Sequence, residues 1–291
     1  MSGGVEVSVV MPTRDQATRL ALTLESFARH APSTLDWELI VVDDGSVDGT
    51  QEVARAYAGR LPLLTVPQPP SGRAAARNTG ARMAHGTTLI FCDSDRICSP
   101  KLLGAHAAAQ GDGSTIHVGE IREVYLSRLE DAQSEIVRDI AHGCAWLADR
   151  SRRPHFVAEV YRHVLDPSGT ASSPAPWMCF FSGNLSLPRA MFERAGGFDE
   201  RFVEWGMEHF ELGYRLVHAG ARIRYLPDAV SFHLAHRRPA EFYERGIMAS
   251  GRLIRQLHNS FPTDEFVELS LGRSTVADFL AALSQESESV R

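Results

Sequence analysis

The chain lacks any apolar run long enough to cross a membrane. Its longest apolar runs, such as residues 39–42, fall far short of the ~20 residues that a bilayer span requires, and its first five residues lack the features of a signal peptide. Cysteine is scarce, and Cys92, Cys98, Cys144 and Cys179 have none of the paired spacing typical of zinc sites. These absences predict a cytoplasmic protein with reduced thiols.

An excess of basic residues is also missing, because 30 Lys and Arg residues stand against 36 Asp and Glu residues, a net charge of −6. This balance excludes a nucleic-acid partner held by bulk charge. No Gly-x-Gly-x-x-Gly motif follows a predicted strand, which disfavours a dinucleotide-dependent dehydrogenase. With 291 residues, 44% hydrophobic and 23% charged, the chain has the composition of an ordinary globular protein.

Short apolar strands alternate with amphipathic helices in the first half of the chain. Strands are predicted at residues 5–11 (closed by Pro12), 37–42, 61–66 and 87–92, and helices at 17–29, 50–58 (capped by Asp48) and 73–84. This alternation predicts a mainly parallel sheet with helices on both faces. Because ligands bind beyond the carboxyl ends of such strands, the polar residues at 12–13, 43–44 and 93–95 are expected to meet in one crevice.

The second half is less regular. A helix is predicted at residues 126–150, a mobile loop at 151–176, strand character at 177–187, helices at 188–195 and 210–218, short strands at 222–226 and 230–233, and helices at 239–257 and 275–283 before a frayed acidic tail. We expect one catalytic domain over residues 1–235 and a helical C-terminal extension over 236–291.

Three polar motifs follow these elements. Asp93, Ser94 and Asp95 form a turn whose two carboxylates can share a divalent cation, although a solvated turn is the alternative. Asp44 can accept a hydrogen bond from a nucleobase or a ribose hydroxyl. Arg73 and Arg77 share a helix face near the helix start, where guanidinium groups can hold phosphate or remain solvated.

In order and spacing, residues 8–13 (Ser-Val-Val-Met-Pro-Thr), 42–46 (Val-Asp-Asp-Gly-Ser), 76–78 (Ala-Arg-Asn) and 93–95 resemble the nucleotide-sugar-binding half of family 2 and related GT-A glycosyltransferases. A second segment, residues 181–212, resembles the acceptor-side segment of galactosyl- and N-acetylgalactosaminyltransferases. The resemblance implies an α/β GT-A fold, a Rossmann-like mainly parallel sheet plus the helical C-terminal extension. Residues 1–110 would then form the nucleotide-sugar-binding half and residues 177–235 the acceptor and metal half.

The resemblance also implies residue roles. The expected donor-binding residues are Pro12, Thr13, Asp15, Asp44, Arg73, Arg77, Asn78, Asp93, Ser94 and Asp95, with Asp44 pairing with uracil. The expected metal ligands are Asp93, Asp95 and His233, with His236 as the fallback. An imidazole ligand favours Mn²⁺ over Mg²⁺. Asn184 and Trp205 are expected on the acceptor side, and Trp205 could equally be a core aromatic.

The predicted general base lies in the acidic segment after Trp205. Related enzymes usually have Glu-Asp there, with the Asp as base, whereas this chain has Glu208 and His209. Glu208 is therefore the first candidate, His209 its rival and Glu211 the third. Both inversion and retention of configuration remain open, with inversion preferred.

The resulting functional prediction is a metal-dependent transfer of a sugar from a UDP-sugar to an unidentified acceptor. The alternatives are a sugar-phosphate nucleotidyltransferase, which would need a Gly-rich basic loop that residues 12–16 lack, and a nucleotide-sugar-binding protein without turnover. No transmembrane span is predicted. Arg245, Arg252 and Arg255 on the long C-terminal helix leave open a peripheral contact with a membrane or an acidic acceptor, beside ordinary packing of an amphipathic helix.

Overall fold

The computed structural model describes residues 4–109, 111–236 and 238–289, with side chains through residue 285. The strands in these ranges are β1 (Val7–Thr13), β2 (Trp37–Asp43), β3 (Leu63–Pro67), β4 (Thr88–Cys92), β5 (Arg96–Cys98), β6 (Thr115–Val124), β7 (Ser151–Arg152), β8 (Asn184–Pro188) and β9 (Arg222–Leu234). The helices are α1 (Ala17–His30), α2 (Thr50–Tyr57), α3 (Arg73–Met83), α4 (Leu102–Ala108), α5 (Leu129–Ala141), α6 (Ala145–Arg150), α7 (His155–Val164), α8 (Arg189–Arg194), α9 (Glu208–His218), α10 (Ala240–Leu257), α11 (Thr263–Ser270) and α12 (Val276–Ser289), with a 3₁₀ turn at Pro176–Cys179.

All these strands belong to one sheet in the order β3-β2-β1-β4-β8-β6-β9-β5, with β7 paired to β6. Strands β1 to β4 pair in parallel, as the βαβ alternation predicts, and β6 and β9 also pair in parallel. Strand β8 is antiparallel to both of its neighbours, and β5 is antiparallel to β9. The predicted α/β class is confirmed, and its uniformly parallel part is limited to the first four strands.

The central residues of β1, β2 and β4 are mostly apolar and buried because helices cover both faces of these strands. Successive residues point to opposite faces of a strand. Val9 of β1 packs with Leu24 and Phe27 of α1, whereas Val10 belongs to the larger core on the opposite face. That larger core reaches the C-terminal helices through Phe266 and Phe279, so these helices pack onto the sheet-containing part of the chain.

Three predicted boundaries in the first half differ from the structure for local reasons. Pro12 lies inside β1, where it is tolerated because the pairing of β1 with β4 ends at Val10 and its missing N–H faces no strand. Asp48 precedes the N-cap Gly49, yet its carboxylate accepts the Thr50 N–H at 2.9 Å. The helix predicted at 126–150 is split into α5 and α6, because residues 143 and 144 adopt positive φ angles of 91° and 66°.

The prediction of a mobile loop over residues 151–176 is wrong. This segment contains β7 and α7, whose Val157, Val160 and Val164 are buried. These valines have helical spacing, but the many charged and polar residues of the segment favoured the prediction of a loop. The strands predicted at 222–226 and 230–233 form the single strand β9, which pairs with β6 across a register shift at Gly119/Glu120. The strand predicted at 177–187 divides into the 3₁₀ turn and β8.

The C-terminal extension is more helical than predicted. Helix α11 was not predicted, and α12 extends through Ser289, where a frayed tail was expected. The last two residues lie outside the described part of the chain. No helix among the described residues has the length and apolarity needed to span a membrane.

Candidate active site

A cavity of about 1300 Å³ opens where β1, β2 and β4 end. The predicted convergence is confirmed, because polar residues that follow these three strands all line this cavity. From the expected donor-binding set, the cavity is lined by Pro12, Thr13, Asp15, Asp44, Arg73, Arg77, Asp93, Ser94 and Asp95. Residues that are distant in sequence therefore share one enclosed, strongly charged space.

One end of the cavity is shaped by Asp44. Its carboxylate accepts hydrogen bonds from the Ser71 N–H at 2.8 Å, the Gly72 N–H at 2.9 Å and the Gln68 side chain at 2.7 Å. Gly72 has a φ of 92°, a conformation that favours glycine. Asp44 thus fixes the loop that leads into α3 and remains buried at the cavity wall.

The loops after β1 and β2 close the same end. The Asp15 carboxylate accepts the Val47 N–H at 2.8 Å, and the Asp15 N–H donates to the Ser46 hydroxyl at 2.9 Å. Beside them, the buried Thr13 hydroxyl has no hydrogen-bond partner among the described residues. The Thr13 hydroxyl is therefore available to bind a ligand next to loops that hydrogen bonds hold in place.

Arg77 forms the buried floor of the cavity. Its Nη1 lies 3.1 Å from Glu208 Oε1 and its Nη2 lies 2.9 Å from Asp93 Oδ1, while Arg73 Nε is 3.9 Å from the same Glu208 oxygen. Burial disfavours the Arg77 charge, but the two carboxylates outweigh burial and raise its pKa. Burial likewise raises the pKa of Asp93, and Arg77 and Arg96 outweigh it, so this carboxylate stays ionised.

Gly183 makes this arrangement possible. A Cβ atom at Gly183 would lie 2.5 Å from Arg96 Nε and 2.7 Å from Asp93 Oδ2. Any side chain there would displace the Asp93–Arg96 ion pair, whose Nε–Oδ2 distance is 3.7 Å. A glycine is therefore needed at this position to leave room for the Asp93 and Arg96 side chains, and not to form a turn.

A second charged group contains Asp95, His233 and His236. Asp95 Oδ2 lies 3.3 Å from His233 Nε2 and 3.5 Å from His236 Nε2, and one ligand atom from each residue falls within 4.8 Å of the others. The buried Asp95 Oδ1 has no hydrogen-bond partner in the described ranges. Two imidazoles and a carboxylate form a donor set suited to a transition-metal ion such as Mn²⁺, and the orphaned oxygen fits a further ligand bond.

The metal set expected from the sequence needs one correction. Asp93 does not belong to this cluster, because its carboxylate is held by Arg77 and Arg96, whereas the fallback His236 does belong. Burial lowers the pKa of His233, but Asp95 and Glu123 outweigh burial and raise it to about 9. Burial raises the pKa of Asp95, and His233 and His236 hold it well below its usual range. Asp95 and His233 thus form an ion pair, and His236 lies beside Asp95.

The start of α9 supplies Glu208 and His209 to the cavity wall. Only 2% of the Glu208 side chain is exposed, compared with 19% for His209, whose Nδ1 lies 3.9 Å from Glu208 Oε1. Burial raises the pKa of Glu208, but His209, Arg73 and Arg77 outweigh burial and lower it well below its ordinary value. The other oxygen, Oε2, is buried and lacks a hydrogen-bond partner among the described residues.

Three predicted site residues do not line the cavity. Glu211 forms two hydrogen bonds to Arg215, at 2.6 and 2.9 Å, and one to His258 at 2.8 Å. Its carboxylate is therefore already paired within the protein, and its role as third candidate base stays a prediction.

The two predicted asparagines also hold backbone instead of facing the cavity. Asn78 binds the Phe198 N–H and carbonyl at 2.9 and 2.8 Å, which ties α3 to the turn after α8. Asn184 donates to the Ala229 carbonyl at 2.8 Å and contacts His106 at 2.9 Å. Because their amides are already paired, the structure places both residues in supporting roles.

The remaining wall of the cavity is aromatic. Trp205 lines it and also packs edge-on against Tyr243 of α10, with ring centroids 4.8 Å apart. Phe156 of α7 and Phe242 of α10 line the same wall. The C-terminal extension therefore contributes directly to the cavity.

The sequence interpretation missed several charged residues in this cavity, among them Arg96 and Glu123. Arg96 follows Asp95 directly, and its Nε and Nη1 are buried without hydrogen-bond partners in the described part of the chain. Glu123 lies on β6, a strand for which the sequence made no prediction. Arg96 could have been included in the predicted site because it is adjacent to Asp95 in the sequence. Glu123 could not, because only the pairing of β6 with β9 brings it to the cavity.

The chain matches the family model described as glycosyl transferase family 2 over residues 8–173. It also matches the model described as the N-terminal domain of galactosyltransferase over residues 167–237. The first match covers more than half of the 291 residues, so the chain belongs to glycosyl transferase family 2. The boundary between the two matches falls after α7, and together they include every residue named above for the cavity floor and the metal cluster.

Similar proteins include validoxylamine A glucosyltransferase of Streptomyces hygroscopicus subsp. jinggangensis, 32% identical over 270 residues, which cover 88% of this chain and 62% of that protein. Chondroitin synthase of Escherichia coli is 28% identical over 238 residues, covering 78% of this chain and 34% of that protein. The chain thus spans about three fifths or less of these relatives.

Two solved structures show the fold. TarS of S. aureus, residues 1–349, has a TM-score of 0.61 at 18% identity, covering 92% of this chain and 71% of that chain. The mannosyltransferase PcManGT of Pyrobaculum calidifontis, in complex with GDP-Man and Mn²⁺, has a TM-score of 0.61 at 20% identity, covering 98% and 76%. At these identities the likeness identifies the GT-A architecture alone.

Proposed function

We propose that the protein is a metal-dependent glycosyltransferase that moves a sugar from a UDP-sugar to an acceptor nucleophile. The observation that carries this proposal is the Asp95–His233–His236 cluster in the same cavity as Asp44 and the Arg77 floor. Membership of glycosyl transferase family 2 and neighbours whose structures hold nucleotide sugars and Mn²⁺ support it. The acceptor is unidentified.

The donor would lie along the cavity from β2 to β9. Thr13, Asp15 and Asp44 would bind the nucleoside, with Asp44 directed at the uracil, and Asp95, His233 and His236 would hold the divalent ion. When bound, that ion offsets the charge that develops on the departing diphosphate. Arg73, which is 35% exposed, and the buried Arg96 supply guanidinium groups beside the same region.

The two histidines of the cluster favour Mn²⁺ as the bound ion. Mg²⁺ prefers a shell composed of oxygen ligands, whereas imidazole suits transition metals. We therefore propose that Mn²⁺ strengthens the binding of the donor more than Mg²⁺ does.

We further propose inversion of configuration with His209 as the base. Glu208 is the weaker candidate because Arg77 engages one of its oxygens and because a lowered pKa makes a carboxylate a poor proton acceptor. His209 would take the proton of the acceptor hydroxyl. At the same time the acceptor oxygen would bond to the anomeric carbon of the donor sugar, and the bond from that carbon to the diphosphate would break. Glu208, 3.9 Å away, would stabilise the imidazolium that forms.

The division of the chain at residue 235 also stays a proposal. Residues 1–235 would form the catalytic domain, and residues 236–291 would complete its wall through Phe242 and Tyr243. Helix α10 packs through a buried face that includes Ile247 and Ile254. The cavity geometry gives no support for contact of the exposed Arg245 and Arg252 with a membrane.

The proposal is tested first by donor binding. UDP and a panel of UDP-sugars, with and without Mn²⁺, should raise the unfolding temperature only in the combined samples, because ligand binding to the folded state stabilises it. His233→Ala should strongly reduce the Mn²⁺-dependent part, leaving weak binding through Asp95 and His236. Equal shifts with GDP- and UDP-sugars, or none with Mn²⁺, would contradict the donor or the metal assignment.

Turnover then separates an enzyme from a binding protein. With a UDP-sugar that binds, release of UDP should fall by about 10²-fold or more in His209→Ala, because a positioned base contributes about 10²–10⁴-fold. Donor binding should persist. His142→Ala, an exposed histidine outside the cavity, is the matched control. Binding without any turnover would favour the nucleotide-sugar-binding protein, and product formation from a nucleoside triphosphate and a sugar phosphate would favour the nucleotidyltransferase.

A further inference from the structure

His233 is flanked by charged residues on the two neighbouring strands. In the pairing of β9 with β6 its register partner is Glu123, and in the pairing with β5 its partner is Arg96. The imidazole therefore sits between a carboxylate and a guanidinium. The two ring nitrogens face different partners, because Nε2 lies 3.3 Å from Asp95 Oδ2 and Nδ1 lies 3.4 Å from Glu123 Oε1.

We propose that Glu123 is a positioning residue for the metal site and acts through His233. The carboxylate accepts the proton of Nδ1, which fixes the tautomer that leaves the Nε2 lone pair free for a metal ion. It also sets the rotation of the ring toward Asp95 and His236. This inference deepens the proposed function and rests on its metal site.

Glu123 is itself held in place. Its second oxygen, Oε2, accepts a hydrogen bond from the Tyr125 hydroxyl, so each carboxylate oxygen has its own partner. Only 20% of the Glu123 side chain is exposed. A carboxylate that is fixed by a second partner is the kind of group that orients a ligating histidine.

The geometry distinguishes this role from direct ligation. The ligand atoms that lie within 4.8 Å of one another belong to Asp95, His233 and His236, and Glu123 is not among them. Glu123 contacts the ring nitrogen remote from that cluster. The carboxylate therefore reaches the metal position through the imidazole.

Metal binding gives the test a readout that does not depend on turnover. Mn²⁺ affinity of the full chain in the presence of UDP is measured by the loss of the free-ion signal in electron paramagnetic resonance. Loss of a carboxylate that orients a metal-bound histidine typically weakens metal affinity by about 10–100-fold. We expect a loss in that range for Glu123→Ala and a smaller loss for Glu123→Gln, which keeps an oxygen acceptor without the charge.

Two further variants separate orientation from general charge. Glu159→Gln removes one negative charge from the same cavity, at a residue that pairs with Arg162 and does not contact the cluster, and should change Mn²⁺ affinity by less than about twofold. Tyr125→Phe removes the hydroxyl that holds Glu123 and should weaken affinity less than Glu123→Ala.

A double-mutant cycle decides whether Glu123 acts through His233. In a His233→Ala background, Glu123→Ala should weaken the residual Mn²⁺ binding no further. An equal loss in both backgrounds would overturn the proposal, since it would mark Glu123 as a direct ligand or a remote charge. Unchanged affinity in Glu123→Ala would overturn it too. Absence of Mn²⁺ binding in the wild-type protein would instead contradict the proposed metal-dependent function, and unfolding curves show whether each variant is folded.

Discussion

Replacing Arg77 with methionine tests the buried ionic floor of the cavity. The guanidinium is 3% exposed and forms one hydrogen bond to Glu208 at 3.1 Å and one to Asp93 at 2.9 Å. Each such charge-assisted bond contributes about 1.5–3 kcal/mol, and removing one member of a buried ion pair costs about 3–5 kcal/mol. We therefore expect Arg77→Met to lower the free energy of unfolding by about 3–5 kcal/mol, because two carboxylates lose their shared cation.

Denaturant unfolding at neutral pH measures this loss. Arg82→Met on the same helix is the matched control, because the Arg82–Glu200 pair is more than half exposed on the Arg82 side and its atoms are 3.5 Å apart. Exposed pairs contribute about 0–1 kcal/mol. Adding Asp93→Asn and Glu208→Gln to Arg77→Met should recover more than half of the lost stability. A loss no larger than that of Arg82→Met would refute the reasoning.

The pH dependence of the same variant gives an independent check. Burial raises the pKa of Glu208, and His209, Arg73 and Arg77 together lower it well below its ordinary value. A depressed folded-state pKa stabilises the protein fully above the unfolded value of about 4.3, and the contribution is lost as the pH falls through the folded value. Without Arg77 this contribution shrinks. The stability gap between wild type and Arg77→Met should therefore stay constant from about pH 7 to about pH 5 and narrow as the pH falls below about 4, and a gap that stays constant down to about pH 2 would contradict the assignment.

Three further predictions concern residues around the cavity. Gly183→Ala should reduce turnover and unfolding temperature together, because its Cβ would lie 2.5 Å from Arg96 Nε, and normal activity would contradict the close approach. Glu211→Gln should cost about 3–5 kcal/mol in unfolding experiments while kcat of the folded protein stays near wild type, and a large fall in kcat at unchanged stability would restore Glu211 as a catalytic candidate. Asn184→Ala should cost about 1–3 kcal/mol because it leaves the Ala229 carbonyl unpaired, and a change in acceptor KM without a stability loss would restore the predicted acceptor role.

The sequence predicted the first half well because its signals are local. Strands β1, β2 and β4 are mostly apolar and are followed by polar residues, and the helices between them have an amphipathic period or a capping signal. The convergence of Thr13, Asp44 and Asp95 follows from the parallel direction of these strands alone. Topology alone thus predicts that these three residues meet in one cavity.

The second half depends on pairing that no local pattern reveals. Strand β6 carries His117, Glu120 and Glu123 at intervals of three residues instead of a strict alternation, so it is recognisable as a strand only beside β8 and β9. Helix α7 was mistaken for a loop because arginines and histidines surround its apolar face. The metal cluster required this part of the fold, since the pairing of β9 with β5 brings His233 next to Asp95.

The expected roles are hardest to predict where a residue type fits two purposes. A buried Asn or Glu near a motif can face a ligand or satisfy backbone, and only the partners decide between them. Asn78 binds Phe198, Asn184 binds Ala229, and Glu211 binds Arg215, so all three are occupied within the protein. Asp93 was selected beside Asp95 from spacing, but the two carboxylates face different cations.

Crystals soaked with Mn²⁺ and UDP test the central claim most directly. Anomalous scattering at the manganese edge should give one peak bounded by Asp95 Oδ1 or Oδ2, His233 Nε2 and His236 Nε2, with the diphosphate beside it and the uracil toward Asp44. A peak at another position, or nucleotide density outside the cavity that these residues line, would contradict the assignment of this cavity as the donor site.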